Sequence, residues 1–221
     1  MKKICIFDFD GTLVNTVTDA AICYNKALEY YGFKTFPIEQ YGDFFGGNID
    51  TIIKKLLSGY NNITNTDISN VKEYYINAYL NDNKKNTRPY DGIIELLRKL
   101  QTNNVKMAIN TNKRQVLVEE LCNKFFKDIH FEKIIGNIEG YPAKPDPTAV
   151  EDILRITGLN KENATYIGDG KTDVKTAENA GIDAIFVEWG QGKEEDKNSS
   201  AVKFIAEKPE DIYSFIMNHN E

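Results

Sequence analysis

Asp8 and Asp10 stand two residues apart at the end of a nearly unbroken apolar run, and Gly11 follows at once. In a strand, side chains at i and i+2 project to the same side, so this spacing presents two carboxylates together. The competing reading is a plain strand end with an ordinary Asp-Gly turn. Thr111, Lys144, Asp169 and Asp173 bear on that choice, because each lies downstream of a later segment with strand character. Acids, a hydroxyl and a lysine are the residue types that a phosphate-handling site needs. Each has an ordinary alternative: Thr111 could cap a helix, Lys144 could be an exposed lysine, and Asp173 could favour the first turn of its helix.

The elements that would position these residues show in the hydrophobic pattern. The run at residues 4–7, rich in Ile, suits a strand buried on both faces, as in a parallel sheet. Val17, Ala20, Ala21, Tyr24, Ala27, Leu28 and Tyr31 then recur at helical spacing, and Gly32 is a stop. A polar, glycine-containing turn region spans 37–48, and two more helices are expected over 49–60 and 68–79. With no strand pattern between them, the three helices are expected to pack as a small helical domain, with 81–88 as a linker.

From Pro89 onward strands alternate with helices. Strands are expected at 105–110, 131–135, 164–168 and 184–187, and helices at 93–100, 116–122, 147–156 and 174–180. The glycine-rich, charged stretch 190–200 reads as a surface loop, 202–205 as a short edge strand and 209–217 as a last helix. Repeated β-α units imply a parallel sheet with helices on both faces. Functional residues of such sheets lie beyond the carboxyl ends of the strands, where Asp8, Asp10, Thr111, Lys144, Asp169 and Asp173 fall.

Composition narrows the function classes. At 221 residues, 41% hydrophobic and 27% charged, the chain has enough apolar material for a real core. Its net charge of −6 argues against a general affinity for nucleic acid or an anionic membrane. An anionic substrate would therefore need local cations or a metal. With no signal-peptide layout and no apolar stretch of membrane-spanning length, a cytoplasmic protein is expected. The cysteines, Cys5, Cys23 and Cys122, are scattered and odd in number, which suits reduced core residues. His130 and His219 are too far apart in sequence to suggest a histidine-based zinc site.

Four stretches carry a resemblance: Asp8-Phe9-Asp10-Gly11-Thr12-Leu13, Asn110-Thr111-Asn112-Lys113, Lys144-Pro145-Asp146-Pro147 and Gly168-Asp169-Gly170-Lys171-Thr172-Asp173. In this order, each after an expected strand, they resemble the motifs of the haloacid dehalogenase superfamily, in particular its phosphoglycolate-phosphatase-like members. The resemblance covers essentially the whole chain. It implies an α/β fold, a Rossmann-like parallel sheet of order 5-4-1-2-3 with helices on both faces, plus a small α-helical cap domain. Residues 1–14 and 89–221 would form the catalytic core, and 15–88 a cap that closes over the substrate.

The resemblance also implies roles. Asp8 would be the nucleophile, forming an aspartyl phosphate that water then hydrolyses. Asp10 would protonate the leaving alcohol and then take a proton from the attacking water. Thr111 would hydrogen-bond a phosphoryl oxygen, and Lys144 would neutralise developing charge. Asn112 and Gly46 are expected to join Thr111 and Lys144 in binding substrate. Two like charges ~4 Å apart repel by about 4 kcal/mol at an effective dielectric near 20, so one lysine cannot offset four carboxylates. Mg²⁺ is therefore the expected cofactor, held by Asp8, the Asp10 backbone carbonyl and Asp169. Asp173 would either ligate it or orient Lys144.

Within the superfamily, Asp10 separates this chain from the dehalogenases, which lack that second acid. Gly46-Gly47-Asn48-Ile49 stands where hexose-phosphate mutases carry Gly-x-Ser-Arg, so the anchor for a second phosphate is missing. Asn15-Thr16 replaces a common Asp-Ser as a helix cap, and Asp91 stands where proline is common. The expected activity is Mg²⁺-dependent hydrolysis of a small phosphorylated metabolite, phosphoglycolate first, by a monomer or homodimer. Pyrophosphate hydrolysis, a sugar-phosphate phosphatase or mutase, and a phosphate-binding regulatory module are the alternatives. Lys113 and Arg114 read as solvated surface, with a weaker vote for Lys113 beside the phosphate. Tyr24, Tyr31, Phe44, Phe45 and Tyr75 read as cap core.

Overall fold

The computed structural model describes residues 2–218, so His219 lies outside the described residues. Its contacts divide the chain into two units, Met1–Val14 with Pro89–Glu221, and Asn15–Arg88. In chain order the elements begin with β1 (Ile4–Phe7), β2 (Val14–Asn15), α1 (Val17–Tyr30), α2 (Tyr41–Phe44), α3 (Ile49–Leu56) and α4 (Asn65–Asn81). They continue with β3 (Arg88–Pro89), α5 (Ile93–Thr102), β4 (Lys106–Arg114), α6 (Gln115–Phe125), β5 (Lys133–Asn137) and α7 (Thr148–Thr157). The last are β6 (Ala164–Gly168), α8 (Lys171–Ala180), β7 (Asp183–Val187), β8 (Val202–Ala206) and α9 (Pro209–Asn218). Among the described residues no helix is long and apolar enough to cross a membrane.

The larger unit is built on a six-stranded parallel sheet, order β5-β4-β1-β6-β7-β8, and β2 and β3 form a separate two-stranded sheet. The expected five-strand order lies within it, but the sheet continues past β7 through β8. Residues 202–205 alternate between half-buried and exposed positions, as suits an edge, Ala206 is buried, and the strand still pairs in parallel with β7.

β1 explains the two-sided core. Cys5 and Phe7 pack on one face with Leu96, Leu97, Leu100, Val118, Leu121, Ile212 and Ile216, from α5, α6 and α9. Ile4 and Ile6 pack on the other with Val150, Ile153, Ala177 and Ala180, from α7 and α8. An alternating strand whose residues are all apolar must be covered on both sides.

The smaller unit buries Tyr24, Leu28, Tyr41, Ile53, Leu56 and Val71. The Tyr24 and Tyr75 rings stack with centroids 3.7 Å apart, whereas Tyr31 stays 38% exposed and is not core. Several helix bounds differ from the periodic pattern. The 37–48 region contains the single turn α2, α3 stops at Leu56, and α4 starts earlier because Thr64 and Asp67 form a reciprocal capping box. At the start of α1 the cap bond comes from Asn15, whose Oδ1 accepts the Val17 N–H at 3.2 Å; Thr16 makes no side-chain cap. Asp19, in the first turn of α1, accepts hydrogen bonds from the backbone and side chains of Asn86 and Thr87.

Candidate active site

Register places the acids. Phe7 is level with Ile109 on one side and Ile167 on the other, so Asp8 emerges beside Asn110 and Gly168 at the carboxyl edge. The Asp8 N–H still donates to the Ile167 carbonyl at 2.9 Å. One residue further along β4 is Thr111, and the residue that ends β6 is followed by Asp169. Gly11 then turns the chain with φ +87°, and a Cβ there would overlap the Asp169 carboxylate. Glycine is required at this position twice over, by its backbone conformation and by this close approach.

Asp8, Asp169 and Asp173 are all buried, and each offers a carboxylate oxygen within 4.8 Å of the others. Lys144 joins two of them: its Nζ donates to Asp8 Oδ1 at 2.7 Å and to Asp173 Oδ1 at 2.6 Å. The remaining Asp173 oxygen accepts the Gly170 N–H at 3.0 Å. Asp169 Oδ2 accepts the Gln191 N–H at 2.7 Å, and its Oδ1 accepts the Thr12 hydroxyl at 3.3 Å.

Three buried acids share one ammonium, and the titration of the site reflects that imbalance. Burial first, then the charge of Asp173, pushes Asp8 up to about 7 against the pull of Lys144. Burial, Asp173 and Asp8 push Asp169 up to about 8. Burial works against the charge on Lys144, but Asp173 and Asp8 outweigh it and hold the ammonium well above its ordinary range. The Tyr166 ring lies 5.8 Å from the ammonium and adds a favourable face.

β4 runs further than its apolar pattern suggests, through Arg114. Its pairing with β5 steps from Asn110↔Ile135 to Arg114↔Asn137, leaving two extra residues on β4. This bulge displays the second motif at the site. The strand expected to end at residue 135 runs on to Asn137, so Gly136 lies inside β5. A Cβ there would come within 2.7 Å of the Lys113 carbonyl oxygen. Thr111 is buried in the bulge, and α6 starts after Arg114 with no side-chain cap, so Thr111 is not a helix cap. Asn112 clamps the Lys144 backbone: its Oδ1 accepts the Lys144 N–H at 2.9 Å and its Nδ2 donates to the Lys144 carbonyl at 3.2 Å.

Lys113 is the residue that the sequence placed least well. Its side chain is only 8% exposed, and its Nζ lies 2.9 Å from Asp10 Oδ1 and 3.2 Å from Oδ2. Gly46 lies in the helical unit, between α2 and α3, with φ +99°.

The sequence pattern of the haloacid dehalogenase-like hydrolases matches residues 5–187. Phosphoglycolate phosphatase 1 of Pseudomonas aeruginosa is 28% identical over 193 residues, which cover 86% of this chain and 71% of that protein. The phosphoglycolate phosphatase of Aquifex aeolicus is 26% identical over 221 residues, 98% of each chain. A crystal structure from Lactobacillus delbrueckii subsp. bulgaricus, described provisionally as a phosphoglycolate phosphatase, is similar with a TM-score of 0.90. It is 27% identical and covers 98% of this chain and 99% of its own. A family match that begins inside β1 and ends with β7 spans every strand that carries a site residue, and the chain belongs to the haloacid dehalogenase-like hydrolases.

Proposed function

We propose that this hydrolase is a Mg²⁺-dependent phosphomonoester phosphatase working through a phosphorylated Asp8, with phosphoglycolate as its leading substrate. The observation that carries the proposal is the buried trio Asp8, Asp169 and Asp173 with Lys144 joined to two of its members. The names of the relatives favour phosphoglycolate within that class.

The donor set fits a hard dication: every candidate ligand atom is a carboxylate or carbonyl oxygen, and the buried acids outnumber their one cation. Asp8, the Asp10 backbone carbonyl and Asp169 would hold it. Asp173 accepts the Lys144 ammonium at 2.6 Å from the first turn of α8, and its assigned role is to orient Lys144. When bound, Mg²⁺ supplies positive charge to the phosphoryl oxygens.

In the first step an Asp8 oxygen bonds to phosphorus as the ester P–O bond breaks, and Asp10 gives its proton to the departing alkoxide. In the second, water attacks the phosphorus of the acyl phosphate, Asp10 takes the water's proton, and Asp8 leaves as a carboxylate. Thr111 donates its hydroxyl to a phosphoryl oxygen, and Lys144 offsets the charge gathered at Asp8. Asn112 acts by fixing Lys144, and Lys113 anchors Asp10. Substrate choice is assigned to the helical unit, with Gly46 as a candidate contact, on the family resemblance.

A panel of phosphoglycolate, pyrophosphate and hexose phosphates, assayed with Mg²⁺, tests the proposal. Phosphoglycolate is expected to give the highest kcat/KM. Turnover of none of them would remove the phosphatase assignment.

Metal binding also has a stability signature. A carboxylate whose folded pKa is raised binds its proton more tightly in the folded state, so stability falls as pH rises through the interval between the unfolded and folded values. For Asp8 and Asp169 that interval ends at about 7 and about 8. Protein treated with chelator is therefore expected to lose thermal stability from about pH 4 to about pH 8. Added Mg²⁺ should raise the unfolding temperature more at the upper end of that range, because it binds the ionised acids. A Mg²⁺ effect independent of pH would contradict ligation by these groups.

A further inference from the structure

We propose that the turn Trp189-Gly190-Gln191-Gly192, after β7, is a positioning element that sets the Asp169 carboxylate for metal binding. The proposal rests on the assignment of Asp169 as a metal ligand. Composition makes this stretch a surface loop, yet its backbone is packed against the acid. The Gln191 N–H donates to Asp169 Oδ2 at 2.7 Å, while Thr12 holds Oδ1. With one fixed donor on each oxygen, the carboxylate plane is set before any ion arrives. Donors of this kind, one layer behind a metal, orient its ligands.

The two glycines explain how the backbone comes so close. Neither Gly190 nor Gly192 has a left-handed φ, so conformational freedom does not account for either. A Cβ on Gly190 would overlap the Asp169 side chain from Cβ to Oδ2. A Cβ on Gly192 would overlap the Asp169 carbonyl oxygen and lie 2.6 Å from the Phe186 ring. Trp189 holds the turn in place from its start. Its Nε1–H donates to the Thr12 carbonyl at 3.0 Å, and its ring packs 6.4 Å from that of Tyr90. The turn and the segment after Gly11 thus grip one carboxylate and are bonded to each other.

Gly190→Ala tests this. The substitution is expected to weaken Mg²⁺ binding about tenfold or more, read from the Mg²⁺-dependent rise in unfolding temperature. Turnover should fall at limiting Mg²⁺ and recover at saturating Mg²⁺, with KM for the phosphoester unchanged. Gly59→Ala is the control, since Gly59 has an ordinary φ and nothing within 4 Å of an added Cβ; its Mg²⁺ response should match the wild type. Should Gly190→Ala fail to fold, Trp189→Phe gives the same readout by removing only the bond to Thr12, and a several-fold weaker Mg²⁺ response is expected. Asp169→Ala separates the two levels of the proposal. Unchanged Mg²⁺ affinity in Asp169→Ala would remove the metal assignment itself. Weakened affinity there, with a wild-type response in Gly190→Ala or, if that variant does not fold, in Trp189→Phe, would overturn the role of the turn alone. A turnover loss in Gly190→Ala that saturating Mg²⁺ does not recover would also overturn it.

Discussion

Asp8→Asn is expected to lower Mg²⁺-dependent phosphatase turnover by roughly four to six orders of magnitude, the scale seen when a covalent nucleophile is removed. An amide is a far weaker nucleophile toward phosphorus than a carboxylate. The fold should survive the change. Asp8 sits in a cluster where burial and Asp173 both oppose its charge, and Lys144 keeps its 2.6 Å bond to Asp173. In chelator-treated protein near neutral pH, the unfolding midpoint is therefore expected not to fall. Steady-state kinetics with chemical denaturation on the same preparation checks both halves. A folded variant with substantial turnover would remove Asp8 as nucleophile, and an unfolded one would show that the cluster needs all its charges.

Lys144→Met is the second large effect, and it strikes stability and activity together. The Lys144 side chain is 4% exposed, and those of Asp8 and Asp173 are 10% and 6% exposed. Removing the cation leaves two buried acids without a counter-charge. Breaking a buried pair in this way costs about 3–5 kcal/mol. The acids answer by holding their protons more tightly, so the deficit should be largest at alkaline pH and shrink as pH falls. Turnover should drop by roughly two to three orders of magnitude, the cost of losing one fixed electrostatic donor in a site of this kind. Methionine keeps most of the apolar stem and its packing, so a deficit independent of pH would point to lost packing and away from charge. Denaturant titrations across pH, with kcat measured at saturating Mg²⁺, distinguish the two.

The parts of this molecule legible in its sequence are those set by local pattern. Ile4–Phe7 reads as a doubly buried strand because every residue in it is apolar, and both faces are covered. The convergence of Asp8, Asp169, Asp173 and Lys144 follows once the strands are parallel, since each residue then emerges at the same sheet edge. What the sequence hides is set by partners far along the chain. β4 continues past Thr111, Asn112 and Lys113, polar residues that look like a loop, because its pairing with β5 resumes beyond them at Arg114↔Asn137. Lys113 looks like a solvated lysine until the fold brings it to Asp10, 103 residues away. Gly190 and Gly192 look like loop glycines, and nothing in composition distinguishes a glycine that loosens a chain from one that lets a backbone touch a carboxylate. Tyr31 errs the other way, continuing an apolar periodicity that the helical unit leaves half in solvent.

The central claim is that phosphate passes through Asp8. The most direct measurement uses the Asp10→Asn variant with an activated aryl phosphate, whose leaving group departs without a proton, so that loss of Asp10 slows breakdown of the phosphoenzyme more than its formation. The variant is mixed with p-nitrophenyl phosphate and Mg²⁺, quenched in acid, digested and analysed by peptide mass spectrometry. The expected result is one phosphoryl group on the peptide containing Asp8, lost on treatment with hydroxylamine as an acyl phosphate should be. Phosphate release with no phosphorylated Asp8 at any quench time, together with inversion of configuration at phosphorus in the wild type, would contradict it.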